Sequence, residues 1–140
     1  SSWTEIADVN DAFRSLRGCG TSTAALECGG FPGFSATAET WDNSSWTEVG
    51  DLNQGRAGHA CAGTSTAALA FAGEIPAASA LNESWDGSSW TEVADLSTAR
   101  GDGGGAGTQT LALCVSGQPP ATTAVEEWTI AASVETVAFD

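Results

Sequence analysis

The sequence predicts an all-β fold made of three tandem units. Three sets of landmarks recur in register at intervals of 43 or 44 residues: Trp3, Trp46 and Trp90; the segments GTSTAAL, GTSTAAL and GTQTLAL at Gly20, Gly63 and Gly107; and Trp41, Trp85 and Trp128. Apolar residues alternate with polar ones, and Gly, Ser or Thr interrupts every window long enough for a helix. Units of this length are typical of paired helices or of four-stranded β-propeller blades, and the alternation favours the blades.

The composition agrees with thin, closely spaced sheets. The 140 residues are 41% hydrophobic, with 17 Gly and no Tyr or Met, so small side chains dominate. The formal net charge is −14, from 18 acidic residues against four basic ones. Such a charge excludes binding to nucleic-acid phosphates or to an anionic membrane surface. No run of apolar residues is long enough to predict a transmembrane helix.

The unit at residues 56–96 shows four predicted strands. RAGHACAG is the first, and AALAFAG, after a tight turn, is the second and most apolar. ALNESW is the third strand, and the turn DGSS leads into the fourth, WTEVADL. Two tryptophans therefore face each other across the last hairpin. We predict that the tryptophans of two such hairpins are structural packing residues: Trp41, Trp46, Trp85 and Trp90.

The chain divides into an extra outer strand followed by three predicted blades, with boundaries at residues 1–9, 10–52, 53–96 and 97–140. Ser1–Val9 repeats the fourth-strand sequence with no blade before it. The third unit lacks the WxxSSW hairpin, and Ala132–Asp140 stands where its fourth strand is expected.

The order of features within a unit resembles the kelch repeat, in which an apolar strand ends in a glycine pair and is followed by an aromatic residue before Asp and by a Trp. Gly29–Gly30 keeps the glycine pair, Ala72–Gly73 and Ser116–Gly117 keep its second glycine, and Trp41 and Trp85 replace the tyrosine before Asp. The resemblance covers essentially the whole chain and implies a β-propeller. It implies no particular activity, because kelch propellers host unrelated ones. The Gly/Ala/Thr-rich repeats are also similar to blade arrays of predicted phage and marine bacterial structural proteins.

Three blades are too few to close a propeller, since known rings contain about four to eight. An open fan leaves sheet faces and edges exposed. We therefore expect two chains to form one six-bladed ring, in which Ser1–Val9 of one chain completes a blade of the other.

No catalytic arrangement is predicted. His59, the only histidine, lies among Gly and Ala in a first strand, without a recurring Ser or Cys partner. We expect it to be structural or to line a channel rather than to act as a general base. The segment SWDGSSW at Ser84–Trp90 resembles an Asp box, in which Asp86 accepts backbone hydrogen bonds and Gly87 takes a positive φ; such boxes stabilise turns and carry no catalysis.

The cysteines occupy different positions in the repeat: Cys19, Cys28, Cys61 and Cys114. A disulfide framework would be expected to recur with the units, and the chain has no C-x-x-C motif that would suggest zinc. We predict that the cysteines are small buried residues, with one chance pairing left open, and that the protein has no metal or cofactor.

The kelch resemblance implies a binding face built from the loops between fourth and first strands and between second and third strands. Arg56 and Arg100 recur with the repeat, so we expect them to lock blades together by pairing with Asp51 or Asp95. Arg100 also begins an Arg-Gly-Asp tripeptide, although matches of three residues are common by chance. The predicted binding residues are Asp51, Arg56, His59, Asp95, Arg100 and Asp102.

These features predict a non-enzymatic structural or adhesive module of a virion, tail fibre or extracellular assembly, with a glycan or a protein as ligand. Two alternatives stay open: an enzyme scaffold, lyase or glycoside hydrolase, with a site at the ring centre, and an intracellular kelch-type interaction adaptor. Exposure of His59 and the arginines at one channel mouth would favour the enzyme, and a bare channel lined by Gly and Ala would favour the structural module.

Overall fold

The computed structural model describes residues 1–130 as eleven strands in three antiparallel sheets, without a helix in that range. Sheet 1 contains strands β1 to β4: Arg17–Thr21, Ala24–Cys28, Ala38–Trp41 and Trp46–Glu48. Sheet 2 contains β5 to β8: Ala60–Thr64, Ala67–Phe71, Asn82–Trp85 and Trp90–Val93. Sheet 3 contains β9 to β11: Gly104–Gly107, Leu111–Val115 and Val125–Thr129. The strands of each sheet pair in chain order, so the prediction of an all-β chain is confirmed. The fourth strand predicted at Ala132–Asp140 lies outside the described residues.

The repeated GTSTAAL segment forms the first hairpin turn of each sheet. Gly63 has a φ of 123°, and a Cβ at this position would collide with the carbonyl oxygen of Ala67. Only glycine fits such a position without strain. The hydroxyl of Thr64 then accepts a hydrogen bond of 3.1 Å from the Ala67 N–H and closes the turn. Gly20 and Gly107 take the same conformation, which explains why this segment recurs.

The outer hairpin of sheet 2 has the turn expected from the sequence. One carboxylate oxygen of Asp86 accepts hydrogen bonds from the N–H groups of Ser88 and Ser89, at 2.8 and 2.9 Å. These backbone bonds lower the pKa of Asp86 to about 2. Gly87 has a φ of 97°, so both predicted features of the turn are confirmed.

Each outer hairpin also carries a tryptophan pair. The ring centroids of Trp85 and Trp90 lie 5.3 Å apart, and both side chains are buried between sheets 1 and 2. The indole N–H of Trp85 donates to the carbonyl of Ser65 at 3.0 Å. Trp41 and Trp46 form the equivalent pair in sheet 1, at 5.6 Å. Each tryptophan pair therefore contributes to the packing of its own sheet, and the Trp85–Trp90 pair also packs against sheet 1.

Successive sheets stack face to face, with β1, β5 and β9 as neighbouring innermost strands. The central strand β6 alternates between its two neighbours: Ala68 and Ala70 pack against sheet 1, whereas Leu69 and Phe71 pack against sheet 3. The second strand of sheet 2 thus presents small residues to the sheet before it and large residues to the sheet after it. No single sheet buries both of its faces alone.

Ser1–Val9 forms no strand within the described chain, and Trp3 in this segment is fully exposed. The pairing predicted for this segment requires a second chain. No helix in the described part of the chain is long and apolar enough to cross a membrane.

We expect Leu69→Ala to lower the free energy of unfolding by about 2–5 kcal/mol, because the leucine is completely buried between sheets 2 and 3. Urea unfolding followed by tryptophan fluorescence measures the change. Thr91→Ala, at an exposed position on β8, is the matched control and should change stability by less than about 0.5 kcal/mol. Equal stability of the two variants would contradict the stacking.

Candidate functional site

A carboxylate on the third strand of each sheet binds the chain segment that precedes that sheet. Glu83 on β7 is buried and accepts hydrogen bonds from the backbone N–H groups of Asn53 and Gln54, at 2.7 and 3.2 Å. The guanidinium of Arg56 donates to the same carboxylate at 2.5 Å. The Glu83 carboxylate therefore anchors the incoming loop and also binds Arg56, whose positive charge balances its own.

Arg56 is itself completely buried and has its donors occupied within the fold. It donates to the carbonyl oxygens of Leu81 and Gln54, at 2.8 and 3.2 Å. Arg100 repeats the arrangement in the next unit, pairing with Glu126 and donating to carbonyls of sheet 3. The two arginines lock loops to sheets in the described chain.

The aspartates predicted to pair with these arginines are the wrong partners. Asp51 and Asp95 are exposed, whereas Arg56 and Arg100 pair with Glu83 and Glu126. The sequence did contain the missing signal, because glutamate recurs at positions 39, 83 and 126, in register with the repeat. Arg100 is buried, so the Arg-Gly-Asp tripeptide is not displayed as a unit.

The first unit departs from this arrangement. Phe13 stands where the other units have the locking arginine, as the backbone bridge that follows it in each unit indicates. Glu39 still accepts a hydrogen bond from the Asn10 N–H at 3.1 Å. Nearby, Glu27 is only 7% exposed, and one of its oxygens has no partner among the described residues. Burial first, and then the charges of Glu39 and Asp11, raise the pKa of Glu27 to about 7.

His59 lies in a closed site between sheets 1 and 2. Its ring is completely buried against Gly29, and its Nε2 contacts the sulfur of Cys28 at 3.3 Å. Burial, followed by the nearby charges of Arg56 and Arg17, lowers the pKa of His59 to about 3. The imidazole is therefore neutral at physiological pH and is not exposed to solvent.

A series of backbone hydrogen bonds runs across the inner ends of the sheets. Gly58 N–H donates to the carbonyl of Ser15 at 3.0 Å, and Asp102 N–H donates to the carbonyl of Gly58 at 2.7 Å. All three residues have φ between 52° and 60°. Equivalent residues of the three units are thus joined in the same way at both junctions.

A cleft opens beside this series. It is bounded by Arg14, whose guanidinium carbon lies 4.2 Å from the ring centroid of Phe31, and by Glu74 and Asp102. Arg17 reaches Asp102 at 3.8 Å, with the two side chains 37% and 46% exposed. The cleft presents both charge signs and an aromatic ring.

Of the six predicted binding residues, three are exposed and three are buried. Arg56, His59 and Arg100 are enclosed, and among the exposed aspartates only Asp102 borders the cleft. Within residues 1–130, no group of three or more His, Cys, Asp or Glu side chains is arranged to hold a metal ion.

The sequence matches no protein-family model and no curated protein. The contacts described above are therefore the basis for a functional proposal.

We expect Arg56→Met to destabilise the chain by about 3–5 kcal/mol, because it leaves the buried charge of Glu83 without its partner. Urea unfolding tests this, with Arg17→Met as the control; that exposed arginine should matter by less than about 1 kcal/mol. Adding Glu83→Gln to Arg56→Met should restore part of the loss. If Arg56→Met costs no more than Arg17→Met, the locking role is wrong.

We expect Glu27→Gln to stabilise the protein at high pH. Folded Glu27 holds its proton up to a pKa of about 7, whereas the ordinary value is 4.5, so folding is penalised as pH rises through this interval. The variant should be more stable above pH 7, by at most about 3 kcal/mol, and similar to the natural protein below pH 4.5. Urea unfolding across pH measures the difference in stability between the two proteins. The titration of His59 affects both equally, so it cancels from this difference. Exposed Glu92→Gln should show no such pH-dependent gain.

Proposed function

We propose that the chain is a non-enzymatic, kelch-like β-propeller module that closes by self-association. We further propose that it serves as a structural or adhesive part of a virion or another extracellular assembly. Self-association is supported by the contacts that recur at both junctions between sheets. At the two ends of the row of three sheets, the equivalent hydrogen-bonding groups and apolar side chains lack a partner among the described residues. A second copy of the chain supplies the complementary groups.

The backbone series provides the first pair of open groups. The carbonyl of Asp102 and the N–H of Ser15 occupy the two ends of the series and have no backbone partner in the described chain. A second series ends in the same way: Gly30 and Gly73 donate to the carbonyls of Arg56 and Arg100, but Gly117 N–H has no such acceptor among the described residues. Phe13 of the partner subunit offers the equivalent carbonyl.

The face of sheet 3 that points away from sheet 2 is apolar and exposed. Leu113 and Val115 on β10 are 41% and 39% exposed. Their counterparts in sheet 2, Leu69 and Phe71, are buried against sheet 3. Apolar faces of this sort are stabilised by removal from water. We therefore propose that one more sheet, in the same orientation, covers this face of sheet 3.

The face of sheet 1 that points away from sheet 2 carries residues of the kind that sheet 2 presents to sheet 1. Ala25 occupies the position of Ala68, which packs against the preceding sheet in the second unit. Trp41 likewise occupies the position of Trp85. Glu27 departs from this pattern, since the second unit has Ala70 there. Sheet 3 of one copy thus docks on sheet 1 of the other, and two such contacts close a ring of six sheets.

Asn10 indicates where Ser1–Val9 belongs in this ring. Asn10 donates from its N–H to Glu39 and from its side-chain amide to the carbonyl of Trp46, as Asn53 does to the corresponding groups of sheet 2. Since Asn53 follows a fourth strand, Ser1–Val9 is placed to act as the fourth strand of a preceding sheet. We propose that it pairs with β11 of the partner, in place of the Ala132–Asp140 strand that the sequence alone predicts there.

The burial of the polar candidates supports a non-enzymatic role. His59, Arg56 and Arg100 are enclosed and committed to contacts inside the chain, so they do not meet at an accessible mouth. Arg14 and Asp102 are exposed beside the backbone series and border the cleft there, which is the candidate surface for a glycan or protein ligand.

We expect light scattering to give twice the chain mass of 14.1 kDa. Leu113→Asp should weaken the association at least about 100-fold, or about 3 kcal/mol, because it buries an unpaired carboxylate in the interface. Thr91→Asp, an exposed position away from both faces, should leave the mass unchanged. A stable monomer at every concentration, or a Leu113→Asp dimer, would contradict the proposal. Loss of the dimer on removal of residues 1–9 supports the exchanged strand; an intact dimer overturns that exchange alone.

A further inference from the structure

Two cysteine thiols meet where sheets 1 and 2 pack together. Cys19 lies on the innermost strand of sheet 1 and Cys61 on the innermost strand of sheet 2. Their sulfur atoms are 3.2 Å apart, although the residues are separated by 42 positions in the chain. Cys61 is buried and Cys19 is partly exposed, so a reagent can reach the pair from one side.

The pair is confined to one junction. At the junction of sheets 2 and 3, the repeat places Ala62 in the position of Cys19 and Gly105 in the position of Cys61. Sulfur is therefore not part of the packing that repeats between innermost strands. Two thiols close enough to react are a candidate site of modification.

We propose that Cys19 and Cys61 form a disulfide under oxidising conditions and so fasten sheet 1 to sheet 2. This inference does not depend on self-association or on the proposed role of the module. It concerns a junction within a single chain. Its location also explains how a disulfide arises here without a cysteine framework that recurs in the other units.

The oxidant is a low-molecular-weight disulfide such as oxidised glutathione. The Cys19 thiolate attacks one sulfur of the reagent, the reagent's S–S bond breaks, and one glutathione thiolate leaves. The Cys61 thiolate then attacks the Cys19 sulfur of the mixed disulfide and expels the second glutathione. The protein thiols lose two electrons and two protons, which are recovered as two glutathione thiols.

The surroundings of the pair set the rate. The contact with Cys61, and then burial, raise the pKa of the Cys19 thiol above its usual range. The thiolate is consequently scarce at neutral pH. Oxidation should be slow there and should accelerate as the pH is raised, because only the thiolate attacks.

Cys28 is the competing partner that the test must distinguish. It lies on the second strand of sheet 1, its sulfur contacts His59, and it is also close enough to Cys61 to influence the acidity of that thiol. It is completely buried, unlike Cys19. A small disulfide reagent therefore reaches Cys19 first, and Cys61 resolves the product.

The test uses the folded natural chain, with a chelator present so that trace metal does not protect thiols. The chain is incubated with oxidised glutathione at mildly alkaline pH, its remaining thiols are alkylated, and it is cleaved after Arg and Glu. Cleavage after Glu27 separates Cys19 from Cys28, so fragment 18–27 joined to fragment 57–74 identifies the proposed bond. We expect the four free thiols to fall to two.

Urea unfolding provides a second readout. The bond joins residues 42 apart, so the oxidised chain should unfold at higher urea than the reduced chain, and reductant should reverse the shift. Cys114→Ser, which alters only the junction with sheet 3, should still lose two thiols on oxidation. Four thiols that persist after oxidation, or a bond that joins Cys61 to Cys28, would overturn the proposal.

Discussion

The buried carboxylate on the third strand is the interaction on which the tandem arrangement depends. Ala and Leu side chains stack between the sheets, but apolar contact is non-directional and does not select one orientation of a sheet over another. Glu83 does select one, because it binds backbone N–H groups of the incoming loop together with Arg56. Glu126 repeats the contact with Arg100. The relation between neighbouring sheets is consequently preserved from one junction to the next.

The faces of the sheets give this series a direction. A small residue such as Ala70 faces the sheet before, and a large one such as Leu69 faces the sheet after. Neighbours therefore pack head to tail. The face of sheet 1 that points away from sheet 2 carries Glu27 instead of a small apolar residue, so this end of the series differs chemically from the internal junctions.

The residues best suited to acid-base or ligand-binding chemistry are used by the fold itself. The neutral ring of His59 fills space between two sheets, and Arg56 is held by a carboxylate and several carbonyls. Arg14 and Asp102 remain exposed and border the cleft beside the backbone series. In the proposed role as a scaffold, recognition is assigned to the loops and ring closure to contacts between sheets of two chains.

The sequence by itself determined the strands, the tight turns and the tandem order, because a period of 43 or 44 residues and single residues such as Gly63 and Asp86 act through local backbone geometry. It also marked Arg56 as a locking residue, but with the wrong aspartate partner. Only the tertiary structure decided that the partner is Glu83 and that Cys19 meets Cys61. Both contacts join residues far apart in the chain. The first depends on where the incoming loop crosses β7 and the second on the stagger between two stacked sheets, and no local pattern encodes either.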